Sequence, residues 1–288
     1  MASQRQLKTR IRSVKNTKQI TKAMQMVAAS KMRRAQDSTK ATYPYASAAN
    51  EILAYLAIQG ETDDHLWFIQ RPIQRRLLIV VASDRGLAGA YDSNILKKYI
   101  SILKEDDTAG IQNVTITVGR KAAHMATRLR DVEIAGSYED LPDYPEGAEF
   151  HTILNTAKDM FESGEVDAVD VVYTRFVNSM TQTADTIRLF PAGFTETTIS
   201  DSIRTSVFEP SAEEVLSGVA YRLIGSRLLQ ALLDARASEY SMRMIAMKNA
   251  TDNASNLIDD LTLAMNKARQ AAITQELSEI SAGVEAMK

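Results

Sequence analysis

Residues 211–288 read SAEEVLSGVAYRLIGSRLLQALLDARASEYSMRMIAMKNATDNASNLIDDLTLAMNKARQAAITQELSEISAGVEAMK and contain no proline. The stretch follows Pro210, and Ser211 with Glu214 three residues later forms a capping box, a typical helix start. One helix of this length would extend roughly 110 Å at about 1.5 Å per residue, several times the width of a domain. Most of it therefore cannot lie in this chain's own core, and we predict a helix that projects from a globular body.

The N-terminal segment is also helical in pattern, from Gln4 to about Ile58. Its apolar residues predict two stripes, Leu7, Ile11 and Val14, then Ile20, Met24 and Val27. Six residues separate Val14 from Ile20, so the second stripe is rotated by about 120° and a regular seven-residue repeat is not expected. We predict that this helix and the C-terminal one form an antiparallel pair.

The distal part of the C-terminal helix shows alternating spacings of four and three residues, which are typical of a coiled-coil seam. The predicted seam consists of Leu257, Leu261, Ala264, Ala268 and Ala271. Large apolar residues in this register fade beyond it. We therefore expect the C-terminal end of this helix to run without its partner helix.

Residues 75–192 alternate strand-like and helical segments, an α/β order. RRLLIVVAS and NVTITVG predict strands buried on both faces, whereas TQTADTIRLFP is expected to return antiparallel to the preceding VDAVDVVYTRFV strand. We divide the chain into an N-terminal coiled-coil helix (1–60), a linker (61–74), a central α/β domain (75–200), a second linker (201–210) and the C-terminal coiled-coil helix (211–288).

Charge is unevenly distributed along a chain whose formal net charge is −2. Residues 1–40 carry eleven Lys or Arg against Asp37 alone, a net charge of +10, so the remainder carries −12. Such a basic helix indicates docking to an acidic partner, with a merely solvated face as the alternative. The chain has no cysteine, which excludes disulfides and thiolate chemistry.

The segment LLIVVASDRGLAGAY (residues 77–91) has the strand, glycine turn and helix of a dinucleotide site. Its glycines, Gly86 and Gly89, give G-x-x-G and not G-x-G-x-x-G. We therefore favour a tight turn in which Ser83 and Asp84 satisfy backbone donors. The three histidines are dispersed and the paired aspartates lie in polar surroundings, so we predict no catalytic residue, metal site or cofactor.

Three motifs resemble the gamma subunit family of the bacterial F-type ATP synthase: ITKAMQMVAASKMRRAQ (20–36), SDRGLAGAYDSN (83–94) and AMKNATDNASNLIDDLTLAMNKARQAAITQELSEI (246–280). The resemblance runs along the whole chain. It implies a rotor shaft whose terminal helices wind into a coiled coil inside a ring of three alpha and three beta subunits. It also implies a Rossmann-like central domain that binds no nucleotide, and a location at the cytoplasmic face of the cell membrane without insertion into it.

The resemblance further implies partner contacts in three places. On the C-terminal helix, a catch loop of a beta subunit would meet Arg269, Gln270 and Thr274. On the N-terminal helix, acidic loops of beta subunits would meet Met24, Lys31, Arg33 and Arg34. The epsilon subunit and the membrane c-ring would lie near Phe208 and Glu209.

Two other classes of function stay open on the residues alone. The strand, turn and helix around Ser83 would suit a dinucleotide-dependent enzyme. The basic N-terminal helix would suit a coiled-coil scaffold or a nucleic-acid binder, although it lacks the interleaved aromatic residues that single-strand binding uses.

Overall fold

A computed structural model describes residues 4–129, 132–144, 147–194, 197–204, 208–209 and 211–285. Within them lie six helices and five strands. In chain order these are α1 (Gln4–Ile58), β1 (Arg75–Val81), α2 (Tyr91–Ala109), β2 (Gln112–Val118), α3 (Arg120–Ala126), β3 (Glu133–Tyr138), α4 (Ala148–Glu162), β4 (Ala168–Phe176), β5 (Gln182–Phe190), α5 (Asp201–Arg204) and α6 (Ala212–Glu285).

The strands form one sheet in the order β3-β2-β1-β4-β5. The first four are mutually parallel and β5 is antiparallel to β4, as predicted for TQTADTIRLFP. This is the strand order of a Rossmann-like sheet with an antiparallel edge strand. The predicted turn between β4 and β5 is confirmed, because Asn178 Oδ1 accepts hydrogen bonds from the backbone N–H groups of Met180 and Thr181, both at 2.9 Å.

Strand β3 was not predicted. Its sequence, EIAGSY, has no alternating apolar pattern, and most of its residues are exposed at the edge of the sheet. An edge strand buries little apolar surface, so its sequence carries a weak signal. By contrast, β1 and β2 are buried over five consecutive residues each, as expected for strands covered on both faces.

The sheet separates two hydrophobic cores. On one face, Leu77 and Ile79 of β1 pack with α4 and with parts of α1 and α6 in a large core that includes Leu53, Phe161 and Leu228. On the other face, Leu78 and Val80 pack with Ile95 and Tyr99 of α2 and Ala122 of α3. Alternate residues of a strand point to opposite faces, and β1 therefore supplies both cores.

The predicted bounds of α1 are confirmed, and the helix continues through Pro44. The predicted shift of its apolar stripe is wrong. Buried or half-buried residues recur at spacings of four and three without interruption through residue 28, and Ile20 and Val27 are exposed. These inward positions are Leu7, Ile11, Val14, Lys18, Thr21, Gln25 and Ala28.

The seam of α1 was missed because it passes through polar and small residues where the apolar ones face outward. Thr21 is buried, and its hydroxyl lies 2.8 Å from that of Thr251 on α6. Thr251 in turn donates to the carbonyl of Met247 at 2.8 Å. A satisfied threonine pair can occupy a seam position that a hydrophobic pattern would assign to Ile or Leu.

Helix α6 begins at Ala212, and Ser211 Oγ accepts a hydrogen bond from the backbone N–H of Glu214, as the capping box predicts. Pro210 lies outside the described residues. The predicted seam is partly wrong. Leu261 and Ala268 are half-buried, but Leu257, Ala264 and Ala271 are exposed. The inward positions are instead Met247, Thr251, Ala254, Ile258, Leu261, Met265 and Ala268.

Two compact units make up the chain. The terminal unit consists of residues 1–28 and 243–288, and the α/β unit consists of residues 29–242. In the terminal unit, every residue from 269 to 282 is exposed, as expected for a helix end that has no partner helix. No helix among the described residues is both long enough and apolar enough to cross a membrane.

Candidate docking site

The turn after β1 is closed by its own side chains. The carboxylate of Asp92, in the first turn of α2, accepts hydrogen bonds from the backbone N–H of Ser83 at 3.1 Å and from its hydroxyl at 2.8 Å. In a dinucleotide-binding protein the phosphate uses the donors of this helix N-terminus. Here an internal carboxylate occupies the turn, and its negative charge would repel a phosphate.

Asp84 joins this turn to the rest of the α/β unit. Its Oδ1 accepts hydrogen bonds from the backbone N–H groups of Arg120 and Asp140, both at 3.0 Å, as predicted for a residue that satisfies backbone donors. Its Oδ2 lies 3.3 Å from Nη2 of Arg236 on α6. Burial raises the pKa of Asp84, but these hydrogen bonds and the Arg236 charge outweigh it and hold the pKa below its usual value.

The cavity beside this turn is too small for a nucleotide. It measures about 10 Å³ and is lined by Tyr91, Leu141, Arg236 and Glu239, among others. A volume of this size holds about one water molecule. The turn after β2, at Gly119, packs tightly on the turn after β1. A Cβ on Gly119 would lie only 2.2 Å from the carbonyl oxygen of Ala82. The geometry of this corner therefore argues against a dinucleotide site.

The described residues contain no cluster of His, Asp or Glu that could hold a metal ion. His65 packs edge-on against Trp67 and Phe68, and its Nε2 lies 3.0 Å from Ser217 Oγ. Burial lowers the pKa of His65, which favours a neutral ring at neutral pH. This histidine is therefore a packing residue in the α/β unit.

The basic residues near the middle of α1 differ in their surroundings. Lys31 is engaged within the chain: its Nζ lies 2.9 Å from Asp143 Oδ2 and 5.2 Å from the ring centre of Tyr240. Arg33 and Arg34 are exposed, and neither makes an ion pair within the described part of the chain. Arg33 and Arg34 are thus free to meet an external carboxylate, whereas Lys31 would have to leave Asp143.

Residues 20–27 of α1 present apolar side chains to solvent. Ile20, Met26 and Val27 are all more than half exposed, and Met24 is half-buried. Exposed apolar residues that cluster on a basic helix are typical of a protein-docking surface. Met24 lies within this surface, but it is less accessible than its neighbours.

The end of α6 carries a second exposed apolar stripe, which we call the distal stripe: Ile273, Leu277 and Ile280. They are 50%, 60% and 64% exposed and lie at spacings of four and three, on one side of the helix. Arg269, Gln270 and Thr274 beside them are also exposed, and the Thr274 hydroxyl donates to the Gln270 carbonyl at 3.0 Å. The sequence interpretation named these polar residues and missed the distal stripe, although its spacing was visible.

The third predicted contact region has one packed and one exposed member. The ring of Phe208 lies 6.0 Å from that of Tyr55 and packs against the large core. Glu209 is exposed. Phe208 therefore has a structural role in the α/β unit, and Glu209 is the more accessible of the pair.

Comparison with known proteins agrees with the motifs over the whole chain. A family model described as ATP synthase matches residues 3–287. The ATP synthase gamma chain of Stenotrophomonas maltophilia (strain R551-3) is 42% identical over 289 aligned residues, which cover 100% of both chains. That of Xanthomonas oryzae pv. oryzae (strain PXO99A) is 41% identical with the same coverage.

The chain belongs to the family of ATP synthase gamma chains. Solved structures share its fold. A chain of the Euglena gracilis mitochondrial ATP synthase, in an assembly of OSCP, F1 and c-ring, aligns with a TM-score of 0.67 at 18% identity, covering 99% of this chain and 94% of that chain. A chain of the Tetrahymena thermophila central stalk and c-ring aligns with a TM-score of 0.58 at 22% identity, covering 80% and 99%. The gamma-chain fold thus accounts for both the α/β unit and the long terminal helices.

Proposed function

We propose that this chain is the non-catalytic central shaft of an F-type ATP synthase. It turns inside a ring of three alpha and three beta subunits and couples ion flow through a membrane ring to ATP synthesis or hydrolysis on the beta subunits. The observation that carries this proposal is the identity of 41–42% to ATP synthase gamma chains over the full length of the chain. The closed turn at Ser83 supports the non-catalytic part of the proposal, because it argues against a nucleotide site in the chain itself.

The distal stripe and the polar residues beside it form the first proposed contact with the ring. Arg269, Gln270 and Thr274 would meet a beta subunit, while the distal stripe supplies apolar area. Full burial of a Leu or Ile side chain contributes about 1.5–3 kcal/mol, and half-exposed residues have roughly half of that left to gain. Three such residues would contribute about 3 kcal/mol, whereas an exposed ion pair contributes at most about 1 kcal/mol.

This magnitude indicates how the shaft would act. Driving a two-state partner almost completely from one state to the other requires about 5.5 kcal/mol of differential contact energy. One ion pair is too weak, so the shaft must combine apolar contacts with charges at more than one place. Arg33 and Arg34 on α1, with Met24 and the neighbouring exposed apolar residues, are the second proposed contact. Lys31 joins it only by exchanging Asp143 for an external acid.

The third proposed contact is at the membrane side of the α/β unit. Glu209 would face the epsilon subunit and the c-ring, and Phe208 would hold the local backbone through its packing on Tyr55. In this arrangement the chain is a peripheral protein at the cytoplasmic face of the cell membrane. The division into two coiled-coil helices, two linkers and a central domain, with bounds at 60, 75, 200 and 211, is part of the same proposal.

Co-purification tests the assignment. The tagged chain is recovered from membranes washed at moderate salt, and the proteins that accompany it are quantified. We expect alpha and beta subunits in equal amounts, each in excess over this chain. Recovery of the chain alone would contradict the assignment.

A pair of matched variants tests the distal stripe. Ile273→Asp with Ile280→Asp adds two charges on the stripe, and Gln275→Asp with Ala282→Asp adds two on the opposite side of the same helix. All four positions are exposed, so neither variant is expected to alter folding. We expect the first variant to lower coupled ATP hydrolysis by the assembled complex and the second to leave it nearly unchanged. Equal effects would remove the stripe from the proposal.

A further inference from the structure

A cavity in the α/β unit is rich in arginine. It measures about 280 Å³ and lies between the segment before β1, the residues after β5 and helix α6. Arg71, Arg188 and Arg227 line it, together with Gln70, Ile73 and Pro191. None of these residues belongs to the proposed contacts with the ring or the membrane.

Two of the three arginines are partly neutralised. Arg71 places its Nε 3.0 Å from Asp167 Oδ1, and its Nη2 donates to the carbonyls of Phe161 and Val166. Arg188 donates to Asp170 through Nε and Nη2. Within the described part of the chain, the Nη1 group of each has no hydrogen-bond partner. The two side chains are thus held in place, and each retains unused donors.

Arg227 differs from both, because it makes no hydrogen bond or ion pair with any described residue. The side chain is half-buried, and burial lowers its pKa below the usual value for arginine with no carboxylate to offset the cost. A desolvated guanidinium without a counter-ion is unfavourable. An anion in the cavity would remove that cost and use the free donors of all three arginines.

The chemistry and size of the cavity restrict the ligand. The guanidinium fork matches the oxygen geometry of phosphate and binds it through paired hydrogen bonds. Small-molecule sites generally measure about 300–1,000 Å³, so a cavity at the lower limit suits a small anion and not a dinucleotide. We propose that the arginine cavity binds a small phosphate group, as free orthophosphate or pyrophosphate or as the headgroup phosphate of a lipid.

Titration of the full-length chain with orthophosphate tests the site, with potassium chloride keeping the ionic strength constant. Binding is measured by calorimetry and by the NMR signals of the arginine side chains. Arg227→Gln is expected to weaken binding by about tenfold or more, the loss of a charge-assisted hydrogen bond. Arg222→Gln is the matched control, since Arg222 is exposed on the same helix and lines a different cavity. Its affinity is expected to equal that of the wild type.

Two further arms complete the experiment. Arg227→Lys keeps the charge but not the planar fork, so an intermediate loss is expected, and circular dichroism of each variant verifies folding. Sedimentation with phosphatidylcholine vesicles that contain phosphatidic acid separates the two sources of phosphate. Binding to free phosphate, or only to these vesicles, supports the site if Arg227→Gln weakens it by about tenfold or more. Absence of both, or equal losses in the Arg222 and Arg227 variants, overturns the proposal.

Discussion

Replacement of Arg236 by Met is expected to destabilise the α/β unit strongly. The Arg236 side chain is only 13% exposed and joins three groups. Its Nη2 lies 3.3 Å from Asp84 and donates to the Leu141 carbonyl at 2.9 Å, and its Nη1 lies 3.2 Å from Glu239. Met replaces the aliphatic part of the side chain but supplies no donor and no charge.

The magnitude follows from the groups left behind. Removing one partner of a buried ion pair costs about 3–5 kcal/mol, because the other charge stays buried without compensation. Asp84 would keep the two backbone donors on its Oδ1, and Glu239 has a further interaction of its own. These remaining partners favour the low end of the range, about 3 kcal/mol at neutral pH.

The pH dependence gives a second, independent signature. The pKa of Asp84 in the folded wild type lies below its usual value, so its contribution to stability is present above the unfolded-state pKa and is lost as pH falls through the folded-state pKa. Loss of Arg236 weakens that contribution. The difference in unfolding free energy between wild type and variant should therefore stay nearly constant from pH 7 to about pH 4 and shrink only below that, because the folded-state pKa of Asp84 lies below 3.8.

Urea unfolding followed by Trp67 fluorescence measures this difference. Trp67 is the sole tryptophan and is buried in the large core of the α/β unit. Arg175→Met is the control, because Arg175 forms an exposed pair with Asp185 at 3.2 Å that should contribute at most about 1 kcal/mol. A cost of Arg236→Met no larger than that of this control, or a cost that grows as the pH falls, would contradict the role of Arg236 as a buried ion-pair partner.

Three further predictions concern single positions. Thr21→Val should destabilise the terminal unit by about 1 kcal/mol, because its hydroxyl bonds that of Thr251. The double variant with Thr251→Val should lose less stability than the sum of the two single variants. Hydrogen exchange of α1 amides would measure these losses, and additive losses would contradict the prediction. Gly119→Ala should lower the thermal midpoint and could not be accommodated without backbone movement, since its φ is +93° and a Cβ would meet the Ala82 carbonyl; an unchanged melting curve would refute the clash. Burial raises the pKa of Asp234 to about 6, so the wild type should lose stability as pH rises through that value, and Asp234→Asn should flatten this loss in urea titrations at pH 5 and 7.

Local sequence patterns were sufficient for most elements of the α/β unit. Runs of β-branched residues predict β1 and β2, which are buried on both faces. The turn residues between β4 and β5 predict the hairpin that these two strands form. Helix α1 ended at Ile58, as predicted. Strand β3 could not be predicted, because a short strand at the edge of a sheet needs few apolar residues and its sequence therefore shows no strand pattern.

The packing of the long helices was harder to infer, because their seams use polar and small residues. Thr21 and Gln25 face inward on α1, whereas Ile20 and Val27 face solvent, and a hydrophobic pattern alone selects the wrong side. The same inversion leaves Leu257 of α6 exposed at 46%. Large apolar residues on the outer side point to contacts with other chains. Such residues obscure the apolar periodicity by which a seam within the chain would be recognised.

Side-chain partners distant in sequence could not be predicted at all. Lys31 was assigned to an external acid by resemblance, yet its ammonium lies beside Asp143. Asp84 was expected to satisfy backbone donors and does so, but its link to Arg236 depends on the position of α6. Such pairings arise from tertiary structure and leave no periodic trace in the sequence.

The uniformly exposed stretch from residue 269 to 282 has a consequence for genetics. At half-buried positions elsewhere in the chain, a harmful substitution can act by misfolding or by loss of activity. The two causes are hard to separate there, because the same side chain contributes both to the fold and to the surface. Along these residues the fold exerts almost no constraint, and only helix propensity and external contacts can be selected. A saturation library restricted to this stretch would be scored for growth by respiration. Its fitness effects would report which side chains contact a partner, and no correction for the abundance of the protein would be needed.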